Sequence, residues 1–183
     1  ILDEIYIRGG AKQLAAAAIK LIGECYQGFR IVGGTIDPSA MRMDAKDSDS
    51  KNWIDTLSDA MGLTAPDRFS AAPTNDISKR HDAVDDLLTT VIDGAKPALY
   101  ISPRAKVARK GFNSTYCYKK INGSDNRVAD KPTKDHPVSD VHDAIQYFGL
   151  DDGGYEKVQA RESRQRRQAD FSKSVVARTE VPI

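Results

Sequence analysis

The sequence predicts an α/β fold, a mixed sheet flanked by helices on both faces, and three observations carry that expectation. Short apolar, β-branched runs alternate with amphipathic helical periods along most of the 183 residues, an order that layers helices over a sheet. The runs are bounded by glycine, proline or Asp-Pro, which close strands. The last helix of the alternation, opened by Pro137, sets Val138, Val141, Ile145 and Phe148 on one face and Asp140, Asp143 and Tyr147 on the other.

Taken in order, Ile1-Leu2-Asp3-Glu4-Ile5-Tyr6-Ile7-Arg8 has the composition of a strand and breaks at Gly9-Gly10. A chain that begins inside a strand without Met is expected to be a piece of a longer protein. Ala11 to Gln27 reads as a helix with Leu14, Ala18, Leu21 and Cys25 inward, closed by Gly28. Residues 29–36 form a buried strand ending on Asp37, after which Pro38 forces the chain out of the ladder. Such a strand end is where α/β sheets place ligand groups, and Asp-Pro-Ser equally caps a turn; both readings stand.

Residues 40–51 read as a charged loop in which Asp47 and Asp49 lack the rest of an EF-hand pattern. A helix follows over 52–61 with Trp53, Leu57 and Met61 inward, then a weak strand at 68–72. Thr74-Asn75-Asp76 offers an N-cap for a helix to about Ile92, with Ile77, Val84, Leu88 and Val91 inward and Asp93-Gly94 as its stop. His81 on that helix reads as a surface or half-buried residue. Strands are expected at 97–103 and 114–121, then a loop to Lys134 and the acidic helix. Past Asp151-Asp152-Gly153-Gly154 the chain is basic and poor in large apolar side chains. The expected organisation is a domain over 1–150 and a helical or disordered basic tail over 151–183.

Lys+Arg 27 against Asp+Glu 26 leaves a net charge of +1, so a nucleic-acid surface must be a local patch. Arg104, Lys106, Arg109 and Lys110, extended by Lys119 and Lys120 among Phe112, Tyr116 and Tyr118, form one. Basic residues interleaved with aromatics suit a DNA backbone, while lysines also guard a plain solvated edge. Cys25 and Cys117 lack CxxC spacing and are expected to be reduced, buried or half-buried thiols of a cytosolic protein. No apolar run reaches the ~20 residues that span a bilayer, and no GxxxxGK[ST] loop is present.

Asp140 and Asp143 repel each other unless a cation sits beside them. They form either a solvated acidic face or part of a divalent-metal site, since Mg²⁺ takes one or two carboxylates. If Asp37 and Asp143 converge above the sheet, they match the need of phosphodiester hydrolysis for two Mg²⁺ or Mn²⁺ ions about 4 Å apart.

The order and spacing of several pieces go further: Leu2 to Tyr6, Gly33 to Ser39, Ala72-Pro73-Thr74-Asn75-Asp76-Ile77 with Arg80, Ile101-Ser102-Pro103-Arg104 with Lys106, Lys110-Gly111-Phe112, Tyr116-Cys117-Tyr118-Lys119, and Ser139 to Tyr147. Together they resemble the carboxy-terminal nuclease domain of phage terminase large subunits, over about residues 1–150. The resemblance implies a ribonuclease H-like fold, two-metal cutting of double-stranded concatemeric viral DNA in the host cytoplasm, and the terminase small subunit and portal protein as partners. By position, Asp37 takes the place of the family's acid after the central strand, and Asp143 that of the acid in its last helix motif. Asp140 stands where relatives often carry histidine and is read as a further ligand or support. The family's first acid lies on a strand upstream of Ile1, so the resemblance implies that this chain lacks it along with the first strands. The isolated chain is then expected to bind metal weakly and cut poorly or not at all. A resolvase- or transposase-type ribonuclease H-like enzyme, or a non-catalytic DNA-binding or docking module, are the alternatives.

Overall fold

Six helices and four short strands build the computed structural model, which describes residues 1–42, 51–121, 127–151 and 153–179, with side chains of the last helix described as far as residue 166. The result is a mixed α/β chain with two small sheets. In order come α1 (Ala11–Cys25), β1 (Gly34–Ile36), a 3₁₀ turn (Pro38–Met41), α2 (Trp53–Ala60), β2 (Phe69–Ala71) and α3 (Ile77–Thr89). There follow β3 (Val91–Ile92), β4 (Lys96–Pro97), α4 (Lys106–Lys110), a π-helical turn (Gly111–Thr115), α5 (Val138–Leu150) and α6 (Gly154–Thr179).

α1, α2, α3 and α5 form where the sequence places them, while α4 (Lys106–Lys110) forms in a basic cluster that was not read as a helix. Gln13 reaches back to the Gly10 amide at 2.5 Å to open α1, and Asn52 accepts from the Asp55 amide at 2.8 Å to open α2. Asp76 caps α3 by accepting from the Ser78 amide at 2.9 Å. β1 and β2 pair in parallel, with Thr35 opposite Ser70 and Ile36 opposite Ala71. Gly33 precedes them at φ +91°, where an added Cβ would meet the Arg68 carbonyl oxygen at 3.0 Å, so only glycine suits that approach.

Several expected strands are shorter or missing. Residues 1–8 lie outside any sheet, joined to the chain near Ile101 by one rung: Ile1 N donates to the Tyr100 carbonyl at 2.6 Å and Ser102 N to the Ile1 carbonyl at 2.9 Å. Of the run 29–36 only Gly34–Ile36 is strand. The main chains of Ile5–Ile7 and Ile31–Val32 have no backbone partner among the described residues. These segments instead flank an apolar groove of about 700 Å³, shared with α1 and α5. The expected strand at 97–103 reduces to Lys96–Pro97 in a hairpin with Val91–Ile92. Asp93-Gly94, expected to stop α3, makes the turn of that hairpin with φ 52° and 75°; α3 has already ended at Thr89. The expected strand at 114–121 is a π-helical turn followed by one bridge between Lys120 and Val128. The charged loop at 40–51 lies, from 43 to 50, outside the described residues, as do residues 122–126 of the later loop.

The core is assembled around α5. One side packs Val141 and Ile145 on Ala105 and Ala108, and the other packs Tyr147 and Leu150 on Ala72, Ala83 and Val158. A third cluster joins Ala11 and Ala15 of α1 to Leu57 of α2. Val138 completes the expected stripe, but Phe148 is 55% exposed, because the apolar groove opens over it. α3 turns Arg80 and Ala83 inward rather than Leu88 and Val91, which are exposed. Val158 brings the start of α6 into the core, in a stretch the sequence had kept outside it. Both cysteines are exposed rather than buried or half-buried; Cys25 Sγ accepts from the Arg104 guanidinium at 3.1 Å.

Candidate functional site

A cleft of about 590 Å³ opens between β1, α2 and α5, and Asp37, Asp140, Asp143 and Tyr147 all line it. The fold thus brings the acid at the end of β1 to the same cavity as the two acids of α5. Asp37 also caps its turn, accepting from the Ser39 amide at 2.8 Å, so the capping reading holds for a carboxylate that also lines the cleft. Burial pushes its carboxyl up, but the Ser39 amide and hydroxyl, the Tyr147 hydroxyl and the Arg80 charge hold it below its ordinary value. It stays an anion on the cleft wall.

Asp143 is held from two sides. The Arg80 guanidinium donates to Oδ1 at 3.3 Å and the Lys134 ammonium to Oδ2 at 2.7 Å. Arg80 enters from α3, 6% exposed, with its guanidinium 4.8 Å from the centre of the Tyr147 ring. Tyr147 OH donates to Asn75 Oδ1 at 2.7 Å, and Asn75 Nδ2 reaches Asp37 Oδ1 at 3.4 Å. Asp37 and Asp143 therefore belong to one polar network, Asp37–Asn75–Tyr147–Arg80–Asp143. Asp140 stands apart from it, with both carboxylate oxygens 2.8 Å from His136 Nδ1. Thr35, which also lines the cleft, donates its hydroxyl to Asp151 at 2.5 Å.

Among the described residues no three His, Cys, Asp or Glu side chains gather as a set that could hold a metal. Two hard carboxylates, those of Asp37 and Asp143, line the same cleft. Those suit Mg²⁺ or Mn²⁺, which need only one or two protein carboxylates and keep several waters.

His142 packs away from these acids, against α4: Nε2 meets the Ala108 carbonyl at 3.1 Å, and the ring stacks at 4.6 Å on Tyr116. Burial holds its pKa below the ordinary value against the pull of that carbonyl, and His81, half-buried as expected, is lowered mainly by burial and then by Arg80. A histidine lowered on folding is protonated first in the unfolded chain. Stability should then be complete above about pH 6.5 and fall as pH drops through it. Urea denaturation of wild type and His142→Gln should show the decline below about pH 6.5 becoming shallower in the variant.

The basic patch is divided. Arg104 donates to Asp3 Oδ2 at 2.7 Å and lies near the Tyr26 ring. Lys106, Arg109, Lys110, Lys119 and Lys120 are exposed and make no ion pair among the described residues. Arg80 appeared in the sequence only as part of a motif, and Lys134 only as the end of a loop; both touch Asp143. The signal for Arg80 was its place three residues before Ala83 on one helical face. Comparison with protein-family models, with curated proteins and with solved structures found no match to this chain. Among the described residues no helix is long and apolar enough to cross a membrane.

Proposed function

We propose that this chain is the nuclease domain of a phage DNA-packaging terminase large subunit, a ribonuclease H-like endonuclease that cuts concatemeric viral DNA with Mg²⁺ or Mn²⁺. The observation that carries the reading is the convergence of Asp37 and Asp143, from a strand end and a distant helix, on one cleft. Those two side chains would hold the cation, with Asp140 beside them on the cleft wall. When bound, the metal would supply an activated water and charge stabilisation at the phosphate. The chain's own residues prepare the site. Ser39 and Asn75 fix the Asp37 carboxylate, and Arg80 and Lys134 orient the Asp143 carboxylate while balancing its charge. Double-stranded DNA is the proposed substrate, the terminase small subunit and portal protein are the proposed partners, and the host cytoplasm is the proposed location.

The double pairing of Asp143 supports a second reading, a non-catalytic DNA-binding module in which that carboxylate is purely structural. Nicking of supercoiled plasmid separates the two. Slow Mn²⁺-dependent nicking that disappears in both Asp37→Asn and Asp143→Asn is the expected outcome. Nicking that survives both substitutions, or that needs no divalent ion, removes the proposal.

A further inference from the structure

Behind Asp143 lies a separate pocket of about 370 Å³, lined by Arg80, Lys131, Lys134, Asn75 and Tyr116. We propose that it holds a phosphate group of the nucleic-acid backbone, gripped by Arg80, Lys131 and Lys134. The proposal deepens the nuclease reading and rests on it for the identity of the ligand.

Arg80 makes the strongest case. Its side chain is 7% exposed, yet of its five N–H donors only those on Nη1 meet an acceptor among the described residues, at 3.3 Å from Asp143. Nε is buried with no partner. A buried guanidinium donor left unpaired is costly, and a contact of 3.3 Å is longer than the roughly 2.8 Å of a strong charge-assisted bond. One carboxylate therefore leaves this group undersatisfied. A phosphate offers several acceptor oxygens and matches the guanidinium fork.

Charge points the same way. Three cations line the pocket, and the one carboxylate that touches two of them is Asp143. Lys131 is exposed and makes no ion pair among the described residues. Lys134, 62% exposed, has the freedom to serve the carboxylate and an incoming anion in turn. Asn75 and Tyr116 supply neutral polar groups, and Asn75 also touches Asp37. A backbone phosphate seated here would meet Arg80 and Lys134, the two cations that also touch the acid proposed to hold the metal.

The test is binding of a short DNA duplex in EDTA, followed by fluorescence anisotropy across a salt series, so that no cutting intervenes. Lys131→Gln and Lys134→Gln should each lower the slope of log K against log salt by about 0.9, one phosphate contact apiece. Lys12→Gln, on the exposed side of α1, should leave it unchanged. Both pocket lysines are exposed, so the variants keep the fold. Slopes equal to wild type in both variants overturn the proposal. A parallel titration with inorganic phosphate alone distinguishes the source: no saturation is expected, and saturable phosphate binding with unchanged DNA slopes assigns the pocket to a small anion and overturns the backbone assignment. Reduced slopes in a protein that never cuts DNA would uphold the pocket while removing the nuclease reading.

Discussion

Asp143→Ala is expected to destabilise the fold by about 3 kcal/mol as well as to end metal-dependent cutting. The reason lies in the Arg80 side chain, 7% exposed against 22% for Asp143. Removing one partner of a largely buried pair strands the other charge, at a cost of roughly 3–5 kcal/mol. The lower end applies here because Asp143 keeps some contact with water. The Lys134 contact adds little, since that ammonium is well solvated. Asp143→Asn keeps an acceptor for Arg80 and should cost less stability while losing the same activity. Urea denaturation of the two variants separates the roles. A double variant, Arg80→Met with Asp143→Leu, should recover most of the loss, because an apolar pair of similar volume is often neutral or better. A loss below about 1 kcal/mol in Asp143→Ala would mean that Arg80 reaches water unaided.

The second large effect is expected at Gly111. A Cβ built there lies 1.9 Å from His142 Nε2 and 2.4 Å from Cδ2. The ring cannot retreat freely: Tyr116 and Phe112 each contact it at 4.6 Å, and Nε2 is bonded to the Ala108 carbonyl at 3.1 Å. Overpacking of this kind typically costs about 1–3 kcal/mol, and a ring fixed by two neighbours and a hydrogen bond places Gly111→Ala at the top of that range. The gain of about 1 kcal/mol from replacing glycine in a helical turn offsets only part of it. A net loss near 2 kcal/mol by denaturation is expected, and His142→Ala in the same chain should relieve it. No loss would show that the His142 ring has room to turn.

The helices were legible because their causes are local. Asn52 and Asp76 cap as their types predict, and α5 buries Val138, Val141 and Ile145 as its spacing requires. The strands were legible only in part, at Gly34–Ile36 and Phe69–Ala71, because a strand exists only with a neighbour. Ile1–Ile7 and Phe29–Val32 have strand composition, yet among the described residues these runs keep only the rung at Ile1 and the pairing of Gly34–Ile36 with β2. Asp93-Gly94 signalled a turn correctly but of a hairpin, since α3 ends a turn sooner on Thr89. In the site, Asp37 and Asp143 were legible as acids at a strand end and on a compact apolar helix. Arg80 was hidden, since an arginine within Ser78-Lys79-Arg80-His81-Asp82 looks solvated until α5 is laid against it. Asp140 was read as a further ligand, and its carboxylate is occupied by His136.

Mn²⁺ binding to the chain, followed by loss of the free-ion signal in electron paramagnetic resonance, tests the central claim most directly. The claim is that Asp37 and Asp143 act together on one hard cation. Weak but saturable binding is expected, lost in Asp37→Asn and equally in Asp143→Asn, and little changed in Asp140→Asn, whose partner is His136. Binding that persists unchanged without either Asp37 or Asp143 would contradict the account.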